Sequence, residues 1–198
     1  AIADHDDAQT ELQANDLLTP QGGPVDFKMK RFDPEHCQRL HDFSLSKSRY
    51  IALLTSMHMV FLHKREVETN PQVKPFLAEQ AKLQATWRKQ LNITPKEADK
   101  VYGLLEWCDA LSLLLAQHEI QPEGRLIEVS LGPDKRQYKL MQTKSGSLTV
   151  NPWPFERKSF ALNIETRLLT TMQFKSCDQF KKELAEAEVI EKVWKLEK

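Results

Sequence analysis

The chain has 198 residues, room for one sizeable domain or two small ones that each bury a core. Its 28 Lys and Arg balance 28 Asp and Glu, so the basic footprint of a nucleic-acid binder is absent. No run approaches the roughly 18 to 20 apolar residues of a membrane span, and no signal peptide is expected.

The neutral total hides a split. Residues 1–124 carry 14 basic and 18 acidic side chains, whereas residues 125–198 carry 14 and 10. The opening stretch, Ala1-Ile2-Ala3-Asp4-His5-Asp6-Asp7, places an imidazole beside carboxylates at the end of an apolar-led helix. Imidazole nitrogen and carboxylate oxygen are ligand types shared by zinc, iron and manganese, whereas calcium and magnesium prefer all-oxygen cages. Neighbouring helical residues point about 100° apart, so His5 and Asp6 share one ion only at a distorted helix end, or serve two ions side by side. The alternative is a solvated chain start. The sequence opens inside this helical pattern without a Met, so a preceding segment is expected.

Residues 15–32, with Thr19-Pro20-Gln21-Gly22-Gly23-Pro24, read as a surface loop. Asp33 and Pro34 predict a short helix to Asp42 with Asp33 as N-cap. Ser46 or Ser48 caps the next, reaching about Lys64. It is apolar nearly all round and therefore expected to be central. Pro75 opens a helix with Phe76, Leu83, Trp87 and Leu91 on one face. Thr94-Pro95-Lys96-Glu97 is a capping box, starting a helix that runs to His118 with Val101, Leu104, Leu105, Cys108, Leu111 and Leu115 inward.

After Gln121-Pro122-Glu123-Gly124 the pattern alternates. Leu126–Leu131 and Gln137–Thr143 predict a hairpin around Gly132-Pro133-Asp134-Lys135. Leu148–Val150, Phe160–Leu169 and Val189–Leu196 predict further strands, with a helix from Ser176 to Ala187. The fold class is α+β: a mostly helical domain over residues 1–120, packed against a small antiparallel sheet with one helix over residues 121–198.

Within the helices, Asp109 shares a face with Tyr102, Leu105, Ser112, Leu113 and Ala116. A carboxylate there needs a metal, a basic partner or a backbone hydrogen bond, since an unpaired buried charge costs several kcal/mol. His58 lies in Met57-His58-Met59-Val60-Phe61, as a core histidine or a ligand. His63 is about 140° away around the helix, so the two do not readily serve one ion, and His58 is preferred. Cys37, Cys108 and Cys177 are odd in number and form no CxxC pair, the usage of reduced thiols in a cytoplasmic protein. They have no paired His at a recognisable spacing. Gly-rich phosphate loops, HExxH and GxSxG are absent.

The order His5-Asp6, His58, Asp109 resembles the His, His-Asp, Asp pattern of the HD-domain superfamily of metal-dependent phosphohydrolases. The opening heptapeptide, Thr19 to Phe27, Ala52-Leu53-Leu54-Thr55-Ser56-Met57-His58, Cys108-Asp109-Ala110-Leu111-Ser112-Leu113 and Pro152-Trp153-Pro154-Phe155 resemble, more closely, the bacterial family called domain of unknown function 3891. Ala8-Gln9 departs from that family, which follows its His-Asp-Asp with Gly-Trp. Its members also carry a preceding helix whose His would supply a further HD-type ligand.

The HD resemblance implies a hydrolase acting on a phosphorylated small molecule. His5, Asp6, His58 and Asp109 would hold one or two divalent metals (Zn, Mn or Fe), with Asp6 and Asp109 catalytic. A di-iron oxygenase on the same scaffold and a noncatalytic binding or structural protein with a buried His/Asp network are the alternatives. The implied partner is a small-molecule substrate, not nucleic acid or membrane. A homo-oligomer is compatible with the sequence.

Overall fold

A computed structural model describes residues 17–25, 31–116 and 124–198. Within them the chain is an α+β protein with five α-helices and a five-stranded sheet. It divides into two compact units: the described residues up to Tyr102 with Met172–Phe180, and Gly103–Thr171 with Lys181–Lys198.

In the first unit, α1 (Pro34–Lys47) begins as the sequence implies. Asp33 accepts hydrogen bonds from the amides of Glu35 and His36, and Pro34 takes the first turn, where its missing N–H costs nothing. The helix does not stop at Asp42, because Leu40 and Ser44 continue its buried stripe and the Ser44 hydroxyl donates to Thr55 at 3.0 Å. Ser48 closes α1 through its amide and caps α2 (Arg49–His63) through its side chain. That double use makes a tight corner.

Helix α2 packs against both α1 and α3 (Val73–Leu91), and Ala52, Leu53, Leu54 and Met59 are almost wholly enclosed. A 3-10 turn, Lys64–Glu66, extends it. Helix α3 starts two residues before the expected Pro75, with Val73 fully buried. Pro75 then sits within the first turn, where amides lack intrahelical partners anyway. Asn92, in the left-handed region at φ 54°, ends it. Helix α4 (Pro95–Leu115) opens on the capping box: Glu97 takes the Thr94 amide at 2.8 Å and Thr94 takes the Glu97 amide at 3.3 Å. The first unit has two apolar clusters, one around Phe32, Cys37, Leu40, Met59 and Val73 and one around Ala52, Leu53, Trp87 and Ala98.

The second unit holds β1 (Ile127–Leu131), β2 (Gln137–Gln142), β3 (Leu148–Asn151), β4 (Ser159–Leu168) and β5 (Glu188–Glu197) in the order β1-β2-β3-β5-β4. The expectation of a purely antiparallel sheet is corrected by β3 and β5, which pair in parallel at Leu148 and Leu196. The seven residues between β3 and β4 let β4 skip one position. The long connection through α5 (Cys177–Glu186) then returns β5 into that slot, antiparallel to β4 over ten residue pairs. Ser176 caps α5, accepting from the Gln179 amide.

Trp107, Leu111 and Leu115 pack with Tyr138, Leu140, Leu148, Val150, Trp194 and Leu196 to form this unit's core. Trp107 was not anticipated on the inner face. Leu104 was, but is 39% exposed. Leu105, one residue on and also expected inward, is fully buried. The Trp194 indole donates to the Leu115 carbonyl at 2.9 Å, satisfying one of the acceptors a helix end leaves open.

Candidate functional site

Helix α2 is the most apolar helix, yet it buries two imidazoles, His58 at 8% exposure and His63 at 9%. An imidazole buried in an apolar helix needs partners, since an unsatisfied buried polar group costs about 1–3 kcal/mol. The two find them differently.

His63 is the last residue of α2. The 3-10 turn that follows carries Glu66 three residues on, and its carboxylate lies 2.9 Å from His63 Nδ1. The same carboxylate accepts from the Phe32 amide, with both oxygens at 3.2 Å. The hydrogen bond from His63 holds the Glu66 carboxyl below its ordinary range. The Phe32 amide and the Arg31 charge act in the same direction, against the opposing effect of burial. An ionised carboxylate only accepts, so Nδ1 carries the proton and Nε2 is left to face the other way. There it meets the Cys37 sulfur of α1 at 3.7 Å. The Phe32 ring meets the imidazole edge-on at 5.2 Å, and Phe76, 5.0 Å from Phe32, lies beside it at 6.4 Å from the imidazole. A thiol, an imidazole and an orienting carboxylate therefore stand in line within the first unit.

His58 lies inside α2, where only side chains of other helices and of adjacent turns can reach it. Its Nδ1 is 3.5 Å from the Tyr102 hydroxyl, and the Phe61 and Tyr102 rings flank it at 6.2 and 6.3 Å. On α4, Tyr102 and Asp109 are seven residues apart and so share one face. Asp109 is part-buried. Leu105 beside it is enclosed, but Ser112, Leu113 and Ala116 on the same stripe are exposed, which puts Asp109 at the margin of the buried face. The Cys108 thiol is pushed up, first by burial and then by the Asp109 charge.

His5 and Asp6 lie outside the described residues. Among the described residues, no group of three or more His, Cys, Asp or Glu is arranged to hold a metal ion. Sequence reasoning missed the Cys37, His63 and Glu66 group, and set His63 aside in favour of His58. The signal within reach was local: His63 and Glu66 are three apart, the spacing that lets a helix end bond to its own continuation. Cys37 is 26 residues from His63, a separation only tertiary packing closes.

Fold and site together define an α+β protein whose helical unit buries histidines with polar partners. The model of the family described as "Protein of unknown function (DUF3891)" matches residues 1–171, and the chain belongs to that family. Compared with curated proteins and with solved structures, the chain finds no match. No helix among the described residues is long and apolar enough to cross a membrane.

Proposed function

We propose that the chain is a metal-dependent hydrolase acting on a phosphorylated small molecule, with His5, Asp6, His58 and Asp109 as the ligands of a divalent zinc, manganese or iron ion. The observation that carries the reading is His58, an enclosed imidazole with the Tyr102 hydroxyl at one ring nitrogen. A second polar group beside the ring is the usual support of a metal-binding histidine. The donor set suits zinc, manganese or iron better than calcium. When bound, such an ion lowers the pKa of a coordinated water and stabilises charge on a phosphoryl oxygen. Asp6 and Asp109 would offset the ion's charge, and the apolar surroundings of His58 would keep bulk water away.

The test is metal content and hydrolysis of p-nitrophenyl phosphate on full-length protein supplied with zinc, manganese and iron, beside Asp109→Asn. Stoichiometric metal and turnover in the wild type, both lost in the variant with the fold intact, support the reading. Bound iron that is redox-active without phosphatase activity points to the oxygenase. A wild type that stays metal-free leaves a noncatalytic network, and Asp109→Asn then alters stability alone.

A further inference from the structure

Cys37, His63 and Glu66 have the three parts of an activated sulfur nucleophile. Nucleophile and base are within reach at 3.7 Å, and base and orienting carboxylate at 2.9 Å. Glu66 fixes the tautomer that leaves His63 Nε2 to take the thiol proton, and its charge stabilises the imidazolium that forms. Cys37 is only 1% exposed, but it lines a cleft of about 510 Å³ between α1 and α3, whose walls include Phe32, Phe76, Leu83, Gln80 and His41. That volume lies in the range of small-molecule sites, as does the mix of apolar walls with a few polar groups. His41 is stacked on Trp87 and has a buried Nε2 atom without a hydrogen-bond partner among the described residues. A buried unpaired ring nitrogen beside a cleft is what a ligand's polar group would satisfy.

We propose that this group is a thiol acyl-transfer centre, which takes the acyl group of a small, apolar-bodied ester or thioester held in the cleft. His63 Nε2 removes the Cys37 proton, and the sulfur bonds to the acyl carbon. The bond from that carbon to the leaving oxygen or sulfur breaks, and the leaving group takes the proton back from His63. Water then hydrolyses the acyl-cysteine, with His63 accepting the water's proton and returning it to the sulfur, so that acid is released and the thiol restored. Cys37 is the nucleophile, His63 the base, and Glu66 a positioning residue. The centre shares no side chain with the proposed metal ligands, so either proposal can fail alone.

The opposing account is that the three groups merely fill the core around Phe32, Met59 and Val73. The two predict opposite signs. In native full-length protein treated with iodoacetamide, site-resolved mass spectrometry should show Cys37 alkylated faster than Cys108, whose thiol is held protonated by burial and by Asp109. His63→Asn should slow alkylation of Cys37 by about a hundredfold or more, the low end of what a positioned base contributes, with Cys108 and Cys177 unchanged. A packing role predicts acceleration, because the loosened core exposes the thiol. If His63→Asn does not fold, Glu66→Gln is read by the same sign. With p-nitrophenyl acetate, the wild type should release a burst of one p-nitrophenolate per chain and carry acetyl on Cys37, and Cys37→Ser should do neither. Prior treatment with a chelator should change none of this. Slow Cys37 alkylation in the wild type, unchanged or faster alkylation in the variants, or no acetyl-Cys37 overturns the proposal.

Discussion

His58 and His63 are five residues apart on one helix and nearly equally enclosed, yet they keep different company. At position 58 the helix continues in both directions, its backbone groups are spent on their own ladder, and the Tyr102 hydroxyl of another helix stands 3.5 Å from the ring. At position 63 the helix tightens into a 3-10 turn, which folds Glu66 back over the ring and leaves the far nitrogen for Cys37. A helix end can surround a polar side chain with hydrogen bonds from its own continuation. A helix middle must borrow them from elsewhere, and that is where a ligand or metal has most to offer.

The comparison breaks most visibly under truncation. His63→Ala removes a ring packed against the Phe32 and Phe76 pair and strands the Glu66 carboxylate, so a loss of about 3 kcal/mol is expected from cavity and unpaired polar group together. His58→Ala should cost less, about 1–2 kcal/mol, provided the protein is metal-free. Urea unfolding midpoints at unchanged slope report both. A reversed order would mean that position 58 is the better satisfied one.

Two residues before His58, Ser56 is fully buried. It donates to Gln80 at 2.7 Å and accepts from Gln84 at 3.0 Å. Ser56→Ala leaves both amides short of a partner inside the same helix pair, and about 2 kcal/mol should be lost. A cost near zero would show that mid-helix polar groups here find other partners, weakening the contrast drawn from His58. Smaller still is Ser48→Ala, which takes the side-chain cap from the helix carrying both histidines at a cost of about 1 kcal/mol. Fraying that end should leave the Cys37 to His63 contact, a full helix length away, unaffected in alkylation rate.

How far the sequence could be read follows from the range of each interaction. Asp33, Ser48, the Thr94 and Glu97 box and Ser176 are local signals whose partners sit within four residues, and all appear as caps. The five strands were legible from alternation, but the parallel pairing of Leu148 with Leu196 was not. Nothing in either strand encodes which neighbour the α5 connection returns it to. Leu104 and Trp107 show the same limit on α4: both are apolar, and only the sheet decides which is covered. Of the proposed metal ligands, His58 and Asp109 could be picked out as polar residues on apolar helices. The Cys37 centre could not as a whole: the three-residue spacing of His63 and Glu66 is local, but the sequence does not show the α1 to α2 packing that brings Cys37 to them.

The finest test of the contrast is acid. The Glu66 carboxyl is depressed in the fold from an ordinary value of 4.5, chiefly by the hydrogen bond from His63 and then by the Phe32 amide. A group depressed on folding adds stability that is fully present above its unfolded value and is lost as pH falls through the folded one. Below about pH 4.5 the wild type should therefore lose this contribution. Glu66→Gln never had it, although its amide oxygen can still accept from Phe32. The stability gap between the two proteins should be widest above pH 5 and should shrink as pH falls from 4.5. Asp42 and Glu97 are depressed in the same direction, by His41 and Thr94, but they are common to both proteins and cancel in the difference. Salt should reduce only the coulombic share of the depression, to which Arg31 contributes. Urea unfolding of both proteins from pH 6 to pH 3 measures the gap. A gap that stays constant across that range would mean that the Glu66 charge does nothing for His63, and the orienting role assigned to it would fall.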